Sequence, residues 1–162
     1  MTLQRKITFY LRLFTITILL LVSKLSVSQN VTFTKTQDLN FGDFYPTGTG
    51  GSVIVNTSGV RSKVNNVVLF SSANVSCAIF SITGNGKVRY ATSITISNST
   101  LYRAGGGGSM SLNTFTYSPT PFINIRNRTV TLYVGARLTV GSIIANPPGN
   151  YSGTFNVIVN YY

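Results

Sequence analysis

The chain has 162 residues and is strongly basic, with 13 lysines and arginines against 2 acidic residues, no histidine and one cysteine. Without histidine there is no Ser-His or Cys-His pair for nucleophilic catalysis, and the ligands of a zinc site are missing. The single cysteine, Cys77, cannot close an internal disulfide, so stability must come from a core and from backbone ladders. Few charged residues and abundant Thr, Ser, Asn, Gly, Tyr and Val are the composition of an extracellular all-β domain.

The first residues read as a secretory signal peptide. Arg5, Lys6 and Arg12 make a positive start, Leu13 to Val22 is apolar, and Ser26 and Ser28 place small residues at the peptidase positions. The apolar run is short of the roughly 20 residues a membrane helix needs. Cleavage after Ser28 leaves one domain, residues 29–162, with no membrane span. Its net charge is +7, from nine basic and two acidic residues. The expected location is the cell surface, a fimbrium or the medium, with the periplasm crossed in transit.

In chain order, Gln29 to Thr36 alternates Val31 and Phe33 against threonines and predicts a short strand. Residues 38–44 form a compact apolar-polar segment, and Pro46 to Gly51 reads as a loop. Ser52 to Asn56 is a strand closed by a turn at Thr57-Ser58-Gly59, and Asn66 to Phe70 a strand buried on both sides or an edge packed under a loop. Asn-Gly at 85–86, between Cys77–Thr83 and Lys87–Ser97, is a strong hairpin signal. In the second arm Val88, Tyr90, Ile94 and Ile96 share a face. In Ser109 to Tyr117 the apolar phase switches from Met110 and Leu112 to Phe115 and Tyr117, which predicts a bulge. Thr129 to Val140 turns Leu132, Val134, Ala136, Leu138 and Val140 inward. Gly149 to Tyr162 ends the chain as a strand with Phe155, Val157, Val159 and Tyr161 on one side. Some eight short strands without helical periodicity predict an antiparallel β-sandwich.

No motif supplies catalysis. Asp38 and Asp43 are the only carboxylates and sit in a segment that reads as structural. They make a poor hard-cation site, since such sites collect more carboxylates. Cys77 reads as a small core residue. The four glycines at 105–108 lack the Lys-Ser/Thr of a phosphate loop and read as a strand connection. The protein is expected to be no enzyme and to need no cofactor or metal.

Three basic pairs, Arg61 with Lys63, Lys87 with Arg89 and Arg126 with Arg128, each lie two apart and would share a strand face. They either protect exposed strand edges or contact an anionic surface. Nucleic acid is not an expected partner, because the aromatics do not interleave with these pairs.

Three blocks carry a family likeness: Leu39-Asn40-Phe41-Gly42-Asp43-Phe44, Leu132-Tyr133-Val134-Gly135-Ala136-Arg137-Leu138, and Tyr151-Ser152-Gly153-Thr154-Phe155 before the last strand. The chain resembles the domain of unknown function 4402 family of secreted bacterial domains. That family is similar to the Mat/Ecp fimbrial major subunits and, more distantly, to spore-coat-protein-U-type pilins. The resemblance implies an immunoglobulin-like sandwich on or outside a bacterial cell.

A pilin-like subunit assembles when a neighbour's extended strand fills an apolar groove. Val31 and Phe33 are the candidate donor anchors, and Phe155, Val157, Val159 and Tyr161 the candidate groove wall. Residues 29–36 can equally pair within their own sheet. The expected partners are other copies or pilus subunits and a periplasmic chaperone. The alternative is a monomeric module that binds carbohydrate or anionic polymers through Tyr102, Tyr133 and Tyr162 with the basic pairs.

Overall fold

The computed structural model describes residues 12, 14, 31–71, 74–86, 90–120 and 123–162. The expected signal segment therefore lies outside the described residues, apart from Arg12 and Phe14. So do Lys87 and Arg89. No helix among the described residues is long and apolar enough to cross a membrane.

Eleven strands are described: β1 (Val31–Gln37), β2 (Phe44–Val55), β3 (Arg61–Leu69), β4 (Ala78–Gly84), β5 (Tyr90–Ile96), β6 (Ser99–Arg103), β7 (Ser109–Ser118), β8 (Ile123–Asn124), β9 (Arg128–Val140), β10 (Tyr151–Ser152) and β11 (Val157–Tyr161). All strand pairings are antiparallel. The larger sheet runs β1-β4-β9-β7-β6-β10, with β2 on β9 and β3 on β2. The smaller runs β11-β5-β8.

The long strand β9 carries the architecture. Its first half pairs with β4 and its second with β2, while β7 lies along the opposite edge. Leu132, Val134, Ala136, Leu138 and Val140 are all buried, as their alternation predicts. They divide between two cores. Leu132 and Val134 join Phe80, Ile82, Ala91, Ile94, Ile123 and Ile125 between the two sheets. Ala136, Leu138 and Val140 join Val53, Val55, Val67, Met110 and Leu112. Gly135 stands where β2 ends beside β9. A Cβ there would lie 2.4 Å from the carbonyl oxygen of Val55, so only glycine lets the strands close.

The phase switch in β7 is a bulge. Asn113 faces Arg137 and Thr116 faces Gly135, one residue more on β7 than on β9, with Thr114 at φ 48°. The turn after Val55 is built as expected: Asn56 Oδ1 accepts from the N–H groups of Ser58 and Val60, both at 2.9 Å. The glycine run joins β6 to β7, with Gly105, Gly106 and Gly107 all at positive φ. Cys77 is buried in the core.

Other expectations are corrected. The Asn-Gly turn does not make a hairpin: β4 pairs with β1 and β9, and β5 with β11 and β8. Both edges of β4 are taken, so the connection passes from one sheet to the other. Residues 46–51 are not a free loop but a wide irregularity inside β2, between the pairs Pro46–Val67 and Gly51–Asn65. In β5 the core positions are Ala91 and Ile94, not Tyr90, because Thr92 is an extra residue against β11. β3 is a mostly exposed edge strand in which only Val67 is buried.

The final strand is broken. β10 pairs with β6 and β11 with β5, so residues 153–156 carry the chain from one sheet to the other. Gly153 permits this crossing, since a Cβ would lie 2.5 Å from the Thr100 carbonyl oxygen. Phe155 fills the bend, its ring 5.1 Å from that of Phe115 and 6.4 Å edge-on to Phe80.

Candidate assembly groove and exposed strand edge

The broken final strand leaves a groove beside it. Residues 38–46 form one wall and residues 146–153 with Phe155 the other, over a floor of Leu101, Met110, Leu112 and Leu138. Its volume is about 660 Å³. The floor is core, so whatever reaches the bottom of the groove meets apolar side chains.

Both walls are fastened by polar side chains. Arg61 Nη1 donates to the carbonyl oxygens of Phe41 (2.8 Å) and Asp43 (3.1 Å), and Nη2 to that of Phe70. This guanidinium holds the first wall against β3, so Arg61 and Lys63 are not a free two-charge patch. Arg61→Met is expected to cost about 2 kcal/mol by leaving these carbonyls without a charged donor. A lowered urea midpoint at unchanged slope would register it.

On the other wall Asn146 is buried and satisfied. Its Nδ2 donates to the carbonyls of Ser109 (2.6 Å) and Ala145 (3.0 Å), and its Oδ1 accepts from Gly141 N–H at 2.5 Å. Tyr151 Oη donates to the Pro147 carbonyl (2.8 Å), and Arg103 Nε to that of Pro148 (2.9 Å). Sequence reasoning missed Asn146, which reads as one more polar residue in a Pro-Gly loop. It also missed the role of Arg61, since nothing local shows which carbonyls a long side chain reaches.

The groove has a distinct charge. Asp38 and Asp43, the only acidic residues of the chain, both line it. Asp38 forms an ion pair with Lys35 of β1 at 2.5 Å.

Beyond the groove, β11 presents an open edge. Asn156 O accepts from Ser97 N–H (3.4 Å), and Tyr162 exchanges backbone hydrogen bonds with Tyr90 (3.2 and 3.3 Å). The even-numbered residues thus face β5. Alternation turns the N–H and C=O groups of Val157, Val159 and Tyr161 to the other side, where no described strand pairs with them. Val157 and Val159 pack partly on the second core, while Ile158 is 52% exposed. No charged residue follows Arg137 in the sequence. Edge strands are usually guarded by lysine, arginine or proline, and this one is not.

The candidate donor segment sits in its own chain's sheet. β1 pairs with β4 from Val31–Gly84 to Gln37–Ile79. Phe33 stacks on Phe80 with ring centroids 5.0 Å apart, and Val31 packs on the second core. The other five β1 side chains are exposed, so the ladder supplies most of its attachment. Arg126 and Arg128 lie on the surface at the β8–β9 turn, where Arg128 Nε donates to the Asn124 carbonyl. They do not meet Arg61. No three metal-ligating residues cluster among the described residues.

A two-sheet antiparallel fold with two apolar cores and one unguarded edge defines the class: an all-β domain. The family described as Domain of unknown function (DUF4402) matches residues 31–161, and the chain belongs to it. Comparisons with curated proteins and with solved structures find no match.

Proposed function

We propose that this protein is a non-enzymatic structural subunit of the cell surface, exported by its N-terminal signal and assembled by β-strand addition. In this reading the domain is an immunoglobulin-like sandwich of the kind found in pilins and adhesins. The observation that carries it is the continuous acceptor along the final strand. An apolar groove over core residues leads into an uncharged edge whose N–H and C=O groups have no described partner. An incoming strand would gain main-chain hydrogen bonds along Val157, Val159 and Tyr161 and bury alternate side chains beside Phe155.

Val31 and Phe33 of another copy are the proposed donor anchors. β1 is an edge strand held by one ladder, which a ladder on the β11 edge of another copy would replace. The other contributors would be further pilus subunits and a periplasmic chaperone that guards the groove before assembly.

Ile158→Lys tests the acceptor. The side chain is half exposed, so the monomer should keep its thermal unfolding midpoint, while a lysine on the edge opposes strand pairing. Electron microscopy and size-exclusion of secreted protein should show fibres or oligomers for the wild type and monomers for the variant. Fibres unchanged by this substitution would refute the acceptor edge. Fibres unchanged by deleting residues 29–36 would refute only the donor role of Val31 and Phe33.

A further inference from the structure

The solvent face of the larger sheet follows from its register. Leu112 and Leu138 pair with each other and point inward, so their neighbours point out: Ser111 beside Thr139, and Asn113 beside Arg137. On the next strand Thr100 faces Ser111 and Tyr102 faces Ser109. Along β9 the same alternation turns Tyr133 outward, but Gly135 on that face is covered by the backbone of Val55 and Asn56. The open part of the face therefore runs from an exposed tyrosine, Tyr102 (65%), to a single arginine. Serine, threonine and asparagine fill the positions between them.

Arg137 is unusual in this chain. Its Nε is buried and has no hydrogen-bond partner, and its guanidinium enters no ion pair. A buried donor without a partner is destabilising, and such groups are few in folded proteins. Neither acidic residue serves it: Asp38 is tied to Lys35, and Asp43 lines the groove on the inward side. Beside Arg137, Asn113 helps line a shallow polar pocket of about 210 Å³ with Asn98, Thr100 and Ser111.

We propose that this face binds an acidic oligosaccharide. The carboxylate or sulfate of one sugar would take the outer end of the Arg137 guanidinium, its two terminal nitrogens, since Nε itself is buried. A sugar ring further along would stack on Tyr102, whose amphipathic face covers the apolar side of a pyranose. The Asn98 and Asn113 amides would bind hydroxyl groups in the pocket. Tyr102 pairs with Ser109 and Arg137 with Asn113, four positions apart on β7 and about 13 Å along the strand, so the ligand spans several sugar units. One guanidinium suits one localised anionic group. A nucleic-acid backbone would call for a row of cations. The site lies on the opposite side of the sheet from the groove, so it is independent of strand addition.

The test is calorimetric titration of the secreted full chain at near-physiological salt with two probes. One is a hyaluronan octasaccharide, with a carboxylate on every second sugar, and the other a neutral N-acetylglucosamine octasaccharide. The acidic probe should bind, and the neutral one should bind at least about tenfold more weakly for want of the charge-assisted contact. Arg137→Gln should weaken the acidic probe by a similar factor, while Arg126→Ala with Arg128→Ala leaves it within about twofold, as expected of screened surface charges. No heat at millimolar probe, equal affinity for both probes, or a loss caused by the Arg126 and Arg128 changes instead would overturn the proposal. If Arg137→Gln fails to fold, Tyr102→Ala decides: its side chain is mostly exposed, and undiminished binding without it would also overturn the proposal.

Discussion

Gly50→Ala is expected to remove a large share of the domain's stability. Gly50 has φ +85°, and a Cβ there would lie 2.3 Å from the carbonyl oxygens of both Val140 and Gly141. Two penalties combine. The backbone conformation alone costs roughly 1–2 kcal/mol for a residue with a Cβ. The clash is with backbone rather than with a flexible side-chain end, so β2 must withdraw from β9. The total should exceed about 4 kcal/mol, in the range reserved for a few mechanisms. Gly106→Ala separates the two terms, because Gly106 has φ +83° and nothing within 4 Å of a Cβ. It should cost about 1–2 kcal/mol, the conformational penalty alone. Denaturant unfolding of the two variants reads the difference. Equal losses would mean that β2 and β9 do not approach as described.

Leu138→Ala carries the second largest expected effect. Leu138 is fully buried where β9 crosses Val53 of β2 and Leu112 of β7, and it forms part of the groove floor. Truncation should remove about 2–5 kcal/mol, through lost burial and the cavity left behind. A domain of this size has about 5–15 kcal/mol of stability in all, so the variant is expected to be marginal. Ile158→Ala is the contrast: half exposed on an edge, it should change stability by no more than about 0.5 kcal/mol. A similar loss at both positions would place Ile158 in a core.

The readability of the sequence varied with the range of the interaction. β9 could be read from Leu132 onward, because one of its faces is buried from there to Val140, with Gly135 the one extra buried position under the end of β2. The bulge in β7 was legible for the same reason, as a break in period two at Thr114. The turn at 84–86 misled because the local preference of Asn-Gly for φ > 0 suits any tight reversal, and does not say whether the flanking strands bond to each other. That was decided by β1 and β9 occupying both edges of β4. The final strand misled in a related way. Its alternation runs unbroken through Phe155, yet Gly153 and the close approach of Thr100 bend the chain between sheets. Of the candidate groove wall only Phe155 lines the groove, while Val157, Val159 and Tyr161 lie on β11. The groove itself was not legible, because its floor comes from β6, β7 and β9, far away in sequence. Arg137 was legible only as a basic residue inside an apolar strand, since its lack of a partner depends on every strand around it.

Because β11 supplies Val157 and Val159 to the second core, the order of synthesis restricts how the chain can mature. β4 emerges from the ribosome early but waits some fifty residues for β9, and β5 waits still longer for its partner at the far end. Until β11 joins β5, Ile94 lacks the cover of Val157 and Val159. The second core thus closes by long-range pairing alone, which makes its assembly a late and cooperative step.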